Sequence, residues 1–186
     1  MKIEIISGSP RKVSVTNRLA LYLHKLLSEK TGHEVGLIDM REHDLPMIQS
    51  VYSSPEKAPA EHRELAERMF AADAFVVVTP EYNSSFSPAM KNLFDHFPKQ
   101  MHKTFGIVTA SVGALGGMRA AQQMLLLTAG LFGIASPNLL VTPFVDKKFD
   151  ADGNLVDESF QGSIDTFMHE FLWLAERVAA NADVLN

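Results

Sequence analysis

The sequence predicts an α/β fold of three layers, helices on both faces of a five-stranded parallel sheet wound in the order 2-1-3-4-5. Three observations carry this. Strand-like and helix-like stretches alternate from one end of the chain to the other. Ala74-Phe75-Val76-Val77-Val78-Thr79 is apolar without alternation, as a strand covered on both faces is. Turns rich in small and polar residues follow the first, third and fourth strands, at the edge where open sheets of this kind bind ligands.

Each element follows from its own residues. Lys2 to Ser7 is a strand that stops at Gly8. Leu19, Leu23, Leu26 and Leu27 recur at helical spacing and predict a first helix that closes near Gly32. Val35 to Asp39 is the second strand, and Met40 to Ala58, with its prolines and no clean period, is a long loop. Pro59 can start a second helix with Leu65, Ala66, Met69 and Phe70 inward. After the third strand, Ser87 caps a third helix and Pro88 takes its first turn. Met90, Leu93, Phe94 and Phe97 form its buried stripe, and Pro98 ends it. Thr104 to Ala110 is the fourth strand, and Met118 to about Leu131 the fourth helix. Ile134 to Val145 holds a fifth strand, interrupted by prolines and so expected at an edge. Phe160, Ile164, Phe167, Phe171, Leu174 and Val178 predict a final helix. No repeat or linker splits the chain, so residues 1–186 are expected to form a single domain.

Composition narrows the function. A formal net charge of −5 argues against nucleic acid or an anionic membrane as partner. Cysteine is absent, which excludes disulfides, thiolate metal sites and a cysteine nucleophile and is compatible with a cytoplasmic setting. The first residues read as a strand rather than a signal segment, and no uncharged apolar stretch reaches membrane-spanning length.

The chemistry is concentrated in three loops. Gly8-Ser9-Pro10-Arg11-Lys12-Val13-Ser14-Val15-Thr16-Asn17 gathers hydroxyls, an amide and two cations where a strand meets a helix. Gly8 permits a tight turn, Arg11 can bond a phosphate in bidentate fashion, and the helix start favours an anion. The competing reading is that Ser14 caps the helix and the rest is solvated loop. The pattern is neither a Walker loop nor a dinucleotide fingerprint, because the required further glycines are missing. Pro80-Glu81-Tyr82-Asn83-Ser84-Ser85 is either a plain turn or a surface against a flat ring on which Tyr82 can stack. Ser111-Val112-Gly113-Ala114-Leu115-Gly116-Gly117-Met118-Arg119 brings glycines to a helix start, either for close approach of a ligand or for packing.

Together these loops, with Pro88-Ala89-Met90-Lys91-Asn92 and Asp95, resemble the NADPH-dependent FMN reductase family over roughly residues 1 to 144. That flavodoxin-like group includes quinone, azo-dye and chromate reductases. The resemblance implies that Ser9, Arg11, Ser14 and either Thr16 or Asn17 hold the FMN phosphate. It implies that Pro80, Glu81, Tyr82 and Asn83 line one side of the ring system, with Ser111, Gly113 and Gly116 near its pyrimidine edge. It also implies hydride transfer from NADPH or NADH to a small acceptor (quinone, azo compound, flavin or metal oxyanion) by a ping-pong mechanism, in a homodimer or homotetramer. Two positions depart from the family: Thr16 with Asn17 beside it, where members often carry one Asn, and His96, where many carry an aromatic residue. No side chain is named as general base, because flavin does the difficult chemistry. The alternative is a flavodoxin-type FMN electron carrier that works with a protein partner.

Other constellations read as structural. Lys91 and Asp95 stand at i,i+4 and predict a local ion pair. Arg119, in the first turn of its helix, can meet cofactor or a neighbouring subunit. The seven histidines lack metal-ligand spacing and most are expected at the surface. Asp150-Ala151-Asp152-Gly153-Asn154 fails as a calcium loop and predicts a hairpin turn.

Overall fold

The computed structural model describes residues 1–181. Its sheet has the order β2-β1-β3-β4-β5, all pairs parallel. The strands are β1 (Lys2–Ser7), β2 (Glu34–Asp39), β3 (Ala74–Pro80), β4 (Thr104–Ala110), β5 (Ile134–Ala135) and β6 (Leu140–Thr142). The helices are α1 (Val15–Lys30), α2 (Arg63–Ala71), α3 (Pro88–Asp95), α4 (Met118–Gly130), α5 (Val145–Lys148) and α6 (Gln161–Ala180). β3 and β4 are buried along their whole length, because helices cover both faces. One core packs α1 and α6 on one side, around Leu19, Leu23, Phe167 and Phe171. The other packs α2, α3 and α4 on the opposite side, around Met69, Phe94, Phe105 and Met124.

The departures from expectation have local causes. The fifth strand is two segments rather than one: β5 pairs with the start of β4 and β6 with its end. The break holds Pro137, which has no N–H to give to a ladder. The chain then enters α5, which the sequence pattern does not announce, so Val145 starts a helix instead of ending a strand. Pro59 leads first into a 3₁₀ turn, Ala60–His62, and α2 proper begins at Arg63. α3 stops at Asp95, yet Phe97 stays buried beyond it. On α6, Ile164, Phe167, Phe171 and Ala175 are buried, whereas Leu174 and Val178 are half-buried toward the end.

The histidines correct a further expectation. His62 and His96 are buried, His24, His33 and His43 half-buried, and only His102 and His169 exposed. His96 takes its place in the second core, its Nδ1 2.8 Å from the Asn92 carbonyl and its ring 5.1 Å from Tyr52. The expected hairpin turn is present: Phe149 bridges Leu155, Gly153 has φ 80°, and Asp150 accepts from the Asp152 and Asn154 amides. Among the described residues no helix is long and apolar enough to cross a membrane.

Candidate ligand cleft at the switch point of the sheet

β1 pairs with β2 on one side and β3 on the other, so the winding reverses at its carboxyl end. A cleft of about 330 Å³ opens there, within the usual range for small-molecule sites. Its wall combines Ser9, Arg11, Ser14 and Thr16 from the first loop with Pro80, Glu81 and Tyr82 from the second and Ser111 from the third. Segments separated by about a hundred residues are thus brought to one edge by the topology alone.

The first loop is held from beneath. The Gly8 amide donates to the Val78 carbonyl at 2.8 Å, and the Gly8 carbonyl accepts from the Ser87 hydroxyl. Gly8 is outside the left-handed region, and the constraint on it is crowding: a Cβ would lie 3.2 Å from the Val78 carbonyl and would displace the flexible end of the Met90 side chain. Ser14 has extended backbone and accepts from the Asn17 amide at 3.2 Å, so it caps α1 and also lines the cleft. Thr16 and Asn17 part company. Thr16 lines the cleft, whereas Asn17 turns inward and donates to Ser7 Oγ and Asp39 Oδ2, each at 3.0 Å.

The second loop is a two-residue turn. Tyr82 and Ser85 exchange both backbone bonds, at 2.8 and 3.1 Å, and Asn83 and Ser84 have φ of 50° and 68°. Positive φ at both central positions is the geometry of a tight hairpin, for which Asn is well suited. Asn83 is exposed and lies outside the cleft wall. Glu81 does two things. It borders the cleft, and its Oε2 accepts from the amides of Arg119 and Ala120 at 3.1 and 3.4 Å. α4 begins after Gly117, which has no side chain to cap with, so a carboxylate from another loop serves instead. Arg119 adds an ion pair to Glu81 at 3.6 Å.

In the third loop Ser111 accepts from the Gly113 amide at 3.0 Å and borders the cleft; Gly113 itself does not. Gly116 packs away from it. With φ 61°, it would bring a Cβ to 2.7 Å from the Pro143 nitrogen, and its carbonyl accepts from Thr109 Oγ1 at 2.9 Å. Its role is the packing alternative. Val13, Val15 and Val112 also face the cleft, and Val13 and Val112 are strongly exposed. The signal for them in sequence is a valine at the tip of a polar loop, which burial does not explain.

The wall suits an anion attached to a flat ring. Four hydroxyl residues, Ser9, Ser14, Thr16 and Ser111, share the wall with the Arg11 guanidinium, and the one carboxylate on it, Glu81, already faces α4 amides. The Arg11 guanidinium lies 4.7 Å from the centre of the Tyr82 ring. The Tyr82 hydroxyl is buried with no hydrogen-bond partner among the described residues.

A second cleft of about 400 Å³ is bordered by Pro10, Met40, Arg41, His43, Met47 and Pro88. Burial, and then the nearby Arg68 charge, lower the His43 pKa from its ordinary value.

Comparison with known proteins bears on the family and the fold. The sequence profile described as NADPH-dependent FMN reductase matches residues 1–145. An NADPH azoreductase of a Bacillus species is 29% identical over 161 residues, covering 86% of this chain and 84% of that protein. A 2-hydroxy-1,4-benzoquinone reductase of a Burkholderia species is 28% identical, covering 95% of this chain and 98% of its own. Among solved structures, a flavoenzyme NAD(P)H:(acceptor) oxidoreductase from Paracoccus denitrificans superposes with a TM-score of 0.78 at 23% identity, over 95% of this chain and 97% of that one. At that identity the superposition speaks for the fold.

Proposed function

This chain belongs to the NADPH-dependent FMN reductase family, and from that premise we propose that it is an FMN-dependent oxidoreductase that takes hydride from NAD(P)H and reduces small acceptors of the quinone or azo class. The observation that carries the reading is the cleft at the β1 switch point, where hydroxyls and a guanidinium meet an aromatic ring. Bound FMN supplies the redox chemistry, accepting two electrons as hydride from the nicotinamide and passing them to the acceptor.

The chain's own residues supply position. Ser9, Ser14 and Thr16 would donate hydroxyls to the phosphate, and Arg11 would add charge-assisted bonds. Pro80, Glu81, Tyr82 and Ser111 would border the ring. Asn17, Asn83, Gly113 and Gly116 act behind that surface, by fixing the loops. Hydride delivery needs no general base, and none is assigned; the Glu81 carboxylate on the wall is engaged with the α4 amides.

One cleft serving donor and acceptor in turn implies ping-pong kinetics. The flavodoxin-type carrier shares the fold, but the family profile and both relatives above carry reductase descriptions. We read residues 1–186 as a single cytoplasmic FMN-binding domain, supported by one sheet joining both cores. A homodimer or homotetramer is supported by exposed Met118, Leu125 and Leu126 on α4.

The test is a visible spectrum of the purified chain reconstituted with FMN, then anaerobic titration with NADPH or NADH. Rapid bleaching of the flavin band, and parallel double-reciprocal lines with a quinone, are expected. No bleaching with either nucleotide removes the reductase reading in favour of the carrier.

A further inference from the structure

A buried charge stands directly behind the first loop, and the cleft does not use it. Asp39 ends β2 beside Ser7 of β1 and is 5% exposed. Its carboxylate accepts from Asn17 Nδ2 at 3.0 Å, from the Arg41 amide at 3.0 Å, and from Arg41 Nε at 2.9 Å, with Arg41 Nη2 completing a two-pronged pair. Asn17 sits next to Thr16 of the cleft wall. Arg41 Nη1 reaches the other way, to the Lys12 carbonyl at 3.4 Å. The segment from Lys12 to Asn17 is therefore tied at both ends to one carboxylate.

The pairing has an electrostatic consequence. An anion held by this loop would feel any uncompensated negative charge behind it, in a partly buried setting where salt screens only in part. Arg41 removes that charge, and Asp39 in return raises the Arg41 pKa above its ordinary value, mainly through their hydrogen bonds. Asn17 alone would anchor the helix end to a neutral partner as well as to a charged one. The guanidinium is what makes a carboxylate tolerable at this position.

We propose that Asp39 and Arg41 form a neutralised brace: Asp39 positions the phosphate loop through Asn17 and Arg41, and Arg41 shields the bound phosphate from the carboxylate behind it. The inference rests on the FMN reading above. Both are positioning residues, since the links run through Asn17 and the Lys12 carbonyl.

The experiment compares the unmodified chain with Arg41→Gln and Asp39→Asn/Arg41→Gln. FMN and riboflavin, which lacks the phosphate, are each titrated by flavin fluorescence at low and moderate salt, and the apoproteins are melted. Arg41→Gln should lose roughly tenfold in FMN affinity at low salt, less at higher salt, with riboflavin affinity unchanged, as one uncompensated charge dictates. Removing the carboxylate as well should return FMN affinity to within about threefold of the unmodified chain, because the repulsion is gone. An Arg41→Gln chain within about twofold of the unmodified one overturns the proposal, since a lone charge near a dianion costs more than that. So does equal weakening of FMN and riboflavin, or a double variant as weak as the single. Should Arg41→Gln not fold, Asp39→Asn decides: its ratio of FMN to riboflavin affinity must hold or rise, and a fall overturns the brace. An unmodified chain that binds no FMN overturns the parent reading, and is distinguished by that first titration.

Discussion

Arg11 lies on an exposed loop with its guanidinium over the Tyr82 ring and no carboxylate partner among the described residues. A cation placed so costs the fold little to lose, and its removal should register in ligand binding alone. Arg11→Ala is expected to weaken FMN by the roughly 1.5–3 kcal/mol of a lost charge-assisted bond, about tenfold to a hundredfold. The apoprotein melting temperature should stay within a degree or so, as for a surface change away from packing. Isothermal titration of FMN beside a thermal melt measures both, and an equal loss in both would make Arg11 a structural residue. That this loop would line a cleft was readable from its residue types and its place after β1. The choice between Thr16 and Asn17 was not, because both are polar and adjacent at a helix start. What separates them is Asp39, twenty-two positions beyond Asn17, which draws the Asn17 amide inward while Thr16 stays on the wall. Likewise the side-chain pattern gives Gly8 a turn's flexibility, whereas the structure shows crowding by the Val78 carbonyl and the flexible end of Met90, neither of them local in sequence. Local sequence cannot display a neighbour that arrives by tertiary packing.

At the level of elements, the strands and helices that position the cleft follow from period and caps. Ser87 at the start of α3 is legible as a cap because its side chain does bond the Met90 amide, at 3.1 Å. The start of α4 follows no such rule, since glycines occupy its cap, and the missing acceptor comes from Glu81. That cross-loop cap joins the second and third walls of the cleft. Glu81→Ala should therefore cost about 0.5–2 kcal/mol, the range for lost caps, and lower the melting point by a few degrees in a chain of this size. Hydrogen exchange should accelerate at the Arg119 and Ala120 amides, and Glu81→Gln, which keeps an acceptor oxygen, should restore most of the protection. Unchanged exchange in the alanine variant would assign those amides another partner. The split of the last strand was half legible: its prolines predict an edge and an interruption, but the return to β4 at Leu140 depends on register with Val108, which no local pattern encodes.

Taken as a whole, the molecule places chemistry and one of its less comfortable charges at opposite ends of the sheet. The cleft lies beyond the carboxyl ends of the strands, whereas Lys103 immediately precedes β4 and so lies at the amino ends. Its ammonium is largely buried and donates to the Met69 and Phe70 carbonyls at 2.9 and 3.3 Å, at the close of α2, with the Phe75 ring 5.3 Å away. Burial lowers its pKa from 10.5 to about 8, and Asp73 opposes that only partly. Below about pH 8 both folded and unfolded chains hold the proton, and the fold bears the cost of the buried charge in full. Between that value and the ordinary lysine range the unfolded chain binds the proton and the folded chain releases it, so unfolding free energy rises with pH. Over the full window the gain approaches roughly 2–3 kcal/mol. Tyr22 and Tyr52 act in the opposite sense, since burial raises both above 10.0 and the fold then retains protons that the unfolded chain has lost. The lysine effect is therefore cleanest between about pH 8 and 9.5. Urea unfolding in that interval should show stability climbing for the unmodified chain and flat for Lys103→Met, with FMN affinity the same in both because the substitution lies at the far end of the strands. A climb that survives the substitution would place its origin in another group.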